Sequence, residues 1–252
     1  MTNSAHRLDL HLLHDSPSAL TWSASELDIS TLSITDGIGG QNPVHAVFTT
    51  VGVVAACPNN VTTVDAKYKG PSLAVQSLSE ARLRLTLEGG GLPLEALRTF
   101  KRGLAGLDRL IQDCPKAPHQ FKSVGILKAS RRLELHHNLF QKTDLGDFPF
   151  MDRDFTDRYK RNATAGWPVL PEAEAELREI VLARTHKVSP LCVLKHGLLM
   201  SPDRWSTELS TGVVVEADFT ISLRVDPAQY RNVFTANIQT LRILKERPSI
   251  LY

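Results

Sequence analysis

Cations at two different spacings are the first residues that could do chemistry. Arg82 and Arg84 alternate with Leu83 and Leu85, so on a strand both point the same way. Arg98, Lys101, Arg102 and Arg109 recur at the three-to-four spacing that gathers side chains on one helix face. Lys128, Arg131 and Arg132 follow a little further on. Guanidinium and ammonium groups held together bind phosphates, with little sequence preference and a steep dependence on salt. The same charges also suit a solvated helix face, because exposed charge contributes little energy.

Residues 144–167 have the most unusual composition. Asp144, Asp147, Asp152, Asp154 and Asp157 are interleaved with Phe148, Phe150, Phe155, Tyr159 and Trp167, and with Arg153, Arg158, Lys160 and Arg161. Arg158, Lys160 and Arg161 could form a second nucleic-acid cluster whose aromatic neighbours stack on bases. Asp152, Asp154 and Asp157 point the other way, to carboxylates holding a divalent cation in a metal-dependent enzyme. A surface loop pinned by its aromatics and laced with local ion pairs is the plainer alternative.

Other chemistry finds little support. His11 and His14 stand three apart before Asp15, but neither HExxH nor paired cysteines complete a zinc site. His136 and His137 are adjacent, so on a strand they face opposite sides. GxSxG is absent, and the glycines at 37, 39 and 40 precede no Lys-Ser or Lys-Thr, which leaves them a turn rather than a phosphate loop. No resident metal or cofactor is expected.

The elements that position these residues are partly legible. Residues 81–88 and 213–224 alternate apolar with polar, the pattern of half-buried strands. Further strands are expected at 46–56, 61–68, 123–127, 132–136 and 191–199. Pro93 opens a helix whose Leu97, Phe100, Leu104, Leu107 and Ile111 form one apolar stripe, and Pro115 closes it. A second helix starts at Pro171. At 227–246, Tyr230, Phe234, Ile238, Leu241 and Leu244 suggest a third helix, with Asp226 as its cap, while the β-branched content keeps a strand open as the alternative. The whole reads as α+β, a mainly antiparallel sheet with two to three packed helices, in one domain over 1–252 with potential seams near 115–120 or within 141–171.

Composition sets the outer limits. The 252 residues are 42% hydrophobic and 22% charged, enough to bury a core and unlike a disordered, collagenous or coiled-coil chain. The net charge of +2 hides one basic residue against six acidic ones over 1–65, and thirteen Lys and Arg against five Asp and Glu over 66–132. Such asymmetry marks a surface for anionic partners, or two parts that neutralise each other within the chain or between subunits. Three cysteines without a CxxC pair suit a reducing compartment. No membrane segment is expected, and the chain is expected to be soluble and intracellular, in cytoplasm or nucleus. The favoured reading is a non-enzymatic binding or assembly protein. Its basic surface, Arg82, Arg84, Arg98, Lys101, Arg102 and Arg109 with Arg158, Lys160 and Arg161, would engage nucleic acid or another polyanion, with the acidic N-terminal part serving self-association or shielding that surface. The alternatives are the metal-dependent enzyme and a coat or scaffold subunit making contacts through the uncharged stretch 37–64.

Overall fold

A computed structural model describes residues 7–9, 20–24, 29–34, 44–58, 60–63, 66–71, 77–128, 131–143 and 164–245. The expectations for His11, His14, the 37–40 turn, Asp152, Asp154, Asp157, Arg158, Lys160 and Arg161 fall outside these residues.

In chain order the first strands are β1 (Arg7–Asp9), β2 (Leu20–Ala24), β3 (Ile29–Ile34), β4 (Val44–His45), β5 (Val47–Val54) and β6 (Arg82–Glu88), followed by helix α1 (Leu94–Gln112). Then come β7 (Lys122–Val124), β8 (Leu127–Lys128), β9 (Arg132–Asn138), β10 (Phe140–Lys142), α2 (Glu174–Ala183) and β11 (His186–Val188). β12 (Cys192–Lys195), β13 (Leu198–Leu199), the one-turn α3 (Trp205–Glu208), β14 (Val214–Asp226) and β15 (Arg231–Lys245) complete the order. Thirteen of these strands share one mixed sheet, and β10 pairs separately with β11. The chain is therefore α+β with three described helices. Its sheet is larger than expected and, though most pairings are antiparallel, it is mixed: β15 runs parallel to β7, β9 and β12, and β1 parallel to β5.

Five strands close on themselves. β5 pairs antiparallel with β6, β6 with β9, β9 parallel with β15, β15 antiparallel with β14, and β14 antiparallel with β5. Numbered along the chain, the ring runs 1-2-3-5-4 and back to 1, the connectivity of the OB-fold, a five-stranded Greek-key barrel. Alternation explains its filling. Leu83, Leu85 and Leu87 of β6, Leu133 and Leu135 of β9, Phe48 of β5, and Phe219 and Ile221 of β14 are all buried. Phe48 meets Phe219 inside, with ring centroids 5.9 Å apart. Removing one such side chain, as in Leu85→Ala, costs about 2–5 kcal/mol.

Helix α1 closes the barrel beside the Glu88 end of β6. A Cβ on Gly52 would lie 2.9 Å from Leu87 Cβ and 3.3 Å from the Phe100 ring, so the missing side chain is what lets the helix seat Phe100 there. The connection from β5 to β6 is held from two sides. Asn60 donates to Ala55 O at 2.8 Å and accepts from Thr86 N at 2.7 Å. Glu176 of α2 accepts from Tyr68 Oη at 2.7 Å and from Leu78 N at 2.8 Å. Among the described residues no helix is long and apolar enough to cross a membrane.

Several expected elements are corrected. Within the 227–246 segment, Pro227–Gln229 make one tight turn and Arg231–Lys245 are the strand β15, not a helix. Among the described residues of 61–68, only Val61 pairs, with Arg84, and left-handed backbone at Ala66 and Lys67 breaks the extension. The 123–127 strand divides into β7 and β8 at Gly125. The 191–199 run is the hairpin β12–β13, turned by His196 and Gly197 with φ of 52° and 75°.

Candidate nucleic-acid interface

With the leucines of β6 and β9 inside the barrel, the alternate residues face out. The register sets Arg82 opposite Asn138, Arg84 opposite His136 and Thr86 opposite Glu134. Toward the α1 end the charges are paired: Arg132 reaches Glu88 at 2.7 Å, and Lys128 reaches Glu134 at 3.2 Å. Glu134 also accepts from His136 Nε2 at 3.0 Å. Burial pushes the Glu134 carboxyl up, but the hydrogen bond and charge of His136, with Lys128, outweigh it and hold the group below the usual carboxylate range.

Toward the other end the charges are alike. Desolvation at the sheet surface, followed by repulsion from Arg224 of β14 and from Arg84, pushes the Arg82 guanidinium down, with Glu80 acting against them. Arg82 thus senses two other arginines, Arg84 on its own strand and Arg224 on β14. A phosphate placed among them relieves that repulsion.

The β14–β15 turn adds aromatic surface. Asp226 accepts from Gln229 N at 3.2 Å, and Tyr230 follows with a φ of 51°, which throws its side chain outward. Tyr230 is 68% exposed and meets Phe121 edge-on. Buried Asn232 donates to Pro118 O at 3.0 Å, and Lys122 N donates to Tyr230 O at 3.0 Å, so the 118–121 loop is fastened beneath the turn. Arg231 and Lys122 are paired neighbours in the parallel register, both exposed. In an OB barrel the second and third strands, flanked by the 1–2 and 4–5 connections, form the oligonucleotide-binding face. Here those parts are β6, β9, the 55–81 connection and this turn.

The cations expected from the sequence do not all meet on this face. Arg82 and Arg84 lie on it. Arg98, Lys101, Arg102 and Arg109 are exposed on α1, which follows the Glu88 end of β6, whereas Arg82 opens that strand six residues before Glu88, about 20 Å at ~3.3 Å per residue. Arg98 is also occupied by Glu95 at 2.8 Å. His136 and His137 do face opposite ways: His136 joins the outer face, and His137 turns inward onto Ser189 O and Ile238 O. Among the described residues no three His, Cys, Asp or Glu side chains gather as a metal site. Sequence reasoning missed Tyr230, Phe121, Lys122, Arg224 and Arg231. The Asp226-Pro227-Ala228-Gln229 signal was present, but it caps a turn rather than a helix.

Three solved structures are similar to this chain. The single-stranded DNA-binding protein from bacteriophage Enc34 shares 11% identity at a TM-score of 0.40 over 92% of both chains. The same protein in complex with ssDNA gives 13% identity and a TM-score of 0.38, covering 92% of this chain and 99% of that one. The gp2.5 single-stranded DNA binding protein encoded by bacteriophage T7 gives 8% identity and 0.35, over 81% of this chain and 94% of that one. No protein-family model and no curated protein matches the chain. At these TM-scores the interface stands on the geometry above.

Proposed function

We propose that this chain binds single-stranded nucleic acid across the β6–β9 face and the β14–β15 turn. Arg82, Arg84 and Arg224 hold phosphates, Lys122 and Arg231 extend the track beside the turn, and Tyr230 stacks on a base with Phe121 behind it. The observation that carries the reading is the exposed Tyr230 beside an outer barrel face that carries Arg82 and Arg84. An aromatic platform with flanking cations suits unpaired bases, because a base in a duplex has no free face to stack on.

The test is fluorescence anisotropy with a labelled oligothymidine and a duplex of equal length. Each is titrated at about 50 and about 200 mM salt. The single strand binds more tightly than the duplex and weakens as salt rises. Failure to bind either at low salt overturns the proposal.

A further inference from the structure

Three polar atoms on the outer face of β6 and β9 are buried without a hydrogen-bond partner: Arg84 Nε, Thr86 Oγ1 and His136 Nδ1. Thr86 is 1% exposed. Arg84 stands opposite His136, and Thr86 is two residues along the same strand and face, so the three atoms belong to one patch. Folded proteins seldom leave several buried polar groups unpaired together, and such a cluster calls for a binding partner.

Their chemistry selects among ligands. Arg84 Nε–H only donates, and the Thr86 hydroxyl does either. A carboxylate only accepts, so His136 Nε2, 3.0 Å from Glu134, donates its proton there, and in the neutral ring Nδ1 then presents a lone pair. A phosphate fits poorly, since it would meet the Glu134 carboxylate directly opposite Thr86. A flat edge with an acceptor beside a donor fits well. Every nucleobase carries such a pair on its Watson–Crick edge, in two different orders. Thymine and guanine set a ring N–H beside a carbonyl, whereas cytosine and adenine set a ring nitrogen acceptor beside an amino donor.

We propose that Arg84 through its Nε, with Thr86 and His136, forms a subsite that reads the Watson–Crick edge of one unpaired base, while the terminal nitrogens of Arg84 hold the phosphate. The inference rests on the single-strand reading above and adds base preference to it. Fixed atoms satisfy one donor–acceptor order better than the other, so the subsite discriminates. Lys128, 46% exposed at its side chain and 3.2 Å from Glu134, swings off to admit the base and is then free for a neighbouring phosphate.

The experiment measures affinities of oligo-dT, oligo-dC, oligo-dA and an abasic strand of equal length. The protein is compared with Thr86→Val, which keeps the side-chain volume, His136→Phe, which keeps a ring, and Thr86→Ser, which keeps the hydroxyl. The protein separates the best from the worst base-bearing strand by about tenfold or more. Thr86→Val and His136→Phe, each checked for folding by thermal unfolding, narrow that spread to about threefold, and Thr86→Ser keeps it. Affinity for the abasic strand stays unchanged throughout. Equal binding of all base-bearing strands by the unaltered protein, or a spread that survives in both folded variants, overturns the subsite. Absence of binding to every strand overturns the single-strand reading instead.

Discussion

Tyr230 leans edge-on against Phe121, with ring centroids 5.4 Å apart and planes at 80°, while 68% of its own surface remains open. One ring braces the other, and the free face of Tyr230 can accept a base without reordering the turn. Tyr230→Ala is expected to weaken single-strand binding by about 1–3 kcal/mol, roughly tenfold or more. The melting temperature changes little, because so exposed a ring contributes little to folding. Anisotropy titration and thermal unfolding check both parts.

The cations separate by salt dependence. Each phosphate that a variant no longer neutralises in a single-strand complex lowers the slope of log affinity against log salt by about 0.7. Replacing Arg82 and Arg84 together by Gln lowers that slope by about 1.4 on this count. Replacing Arg98, Lys101 and Arg102 by Glu changes it less, because those residues sit on α1 at the far end of β6. Parallel salt titrations of the two variants decide between strand face and helix.

Acid should destabilise the fold in two stages. His137 Nε2 donates to Ser189 O at 2.6 Å, and burial holds its imidazole below the ordinary 6.5 against the pull of its two backbone partners. The unfolded chain takes up that proton near pH 6.5, while the folded one resists. Stability is therefore full above this pH and declines as pH falls toward the folded value. Glu134, held below its ordinary 4.5, has the same sign: its contribution is present above 4.5 and lost as pH falls through the folded value. Thermal unfolding from about pH 8 to about pH 3 reveals both, with His137→Gln flattening the upper stage and Glu134→Gln the lower.

Two glycines with similar backbones should respond differently to alanine. Gly125 has a φ of +124°, and an added Cβ would lie 1.9 Å from Phe234 O, a backbone atom of β15 that cannot yield. Gly70 has a φ of +118°, with nothing within 4 Å of the added atom. Gly70→Ala costs about 1 kcal/mol of backbone strain, whereas Gly125→Ala costs several, because it also wedges the β7–β8 corner off the barrel. Urea unfolding of the two variants measures the difference.

Where one face of an element is buried and the other wet, the sequence was legible. β6, β14 and α1 stand close to where alternation or the apolar stripe puts them. β15 was misread for a definite reason. Its buried residues run Asn232, Phe234, Ala236 and Ile238, then shift phase to Leu241 and Ile243. The shift comes from one extra residue, since Phe219 pairs with Ile238 and Asp218 with Thr240, leaving Gln239 as a bulge. An alternating pattern interrupted once imitates the three-and-four spacing of a helix. The site was half legible for a similar reason. Arg82 and Arg84 share a face by strand period alone, but Arg224 and Tyr230 join them only through ring closure, which no local pattern encodes. The α1 cations were grouped with them by nearness in sequence, although the strand leads away from the helix.

The closed ring also bears on how the chain is made. β9 waits for β15, and His137 meets Ile238 across 101 residues of sequence. At ~5–20 residues per second, a ribosome takes about 5–20 s to supply that stretch. During this interval the β6–β9 hairpin shows an unpaired edge and a row of leucines with no barrel to enter, which is the kind of surface that chaperones hold and that nucleates aggregation. The speed of translation through residues 139–230 thus sets how long each newborn molecule stays exposed.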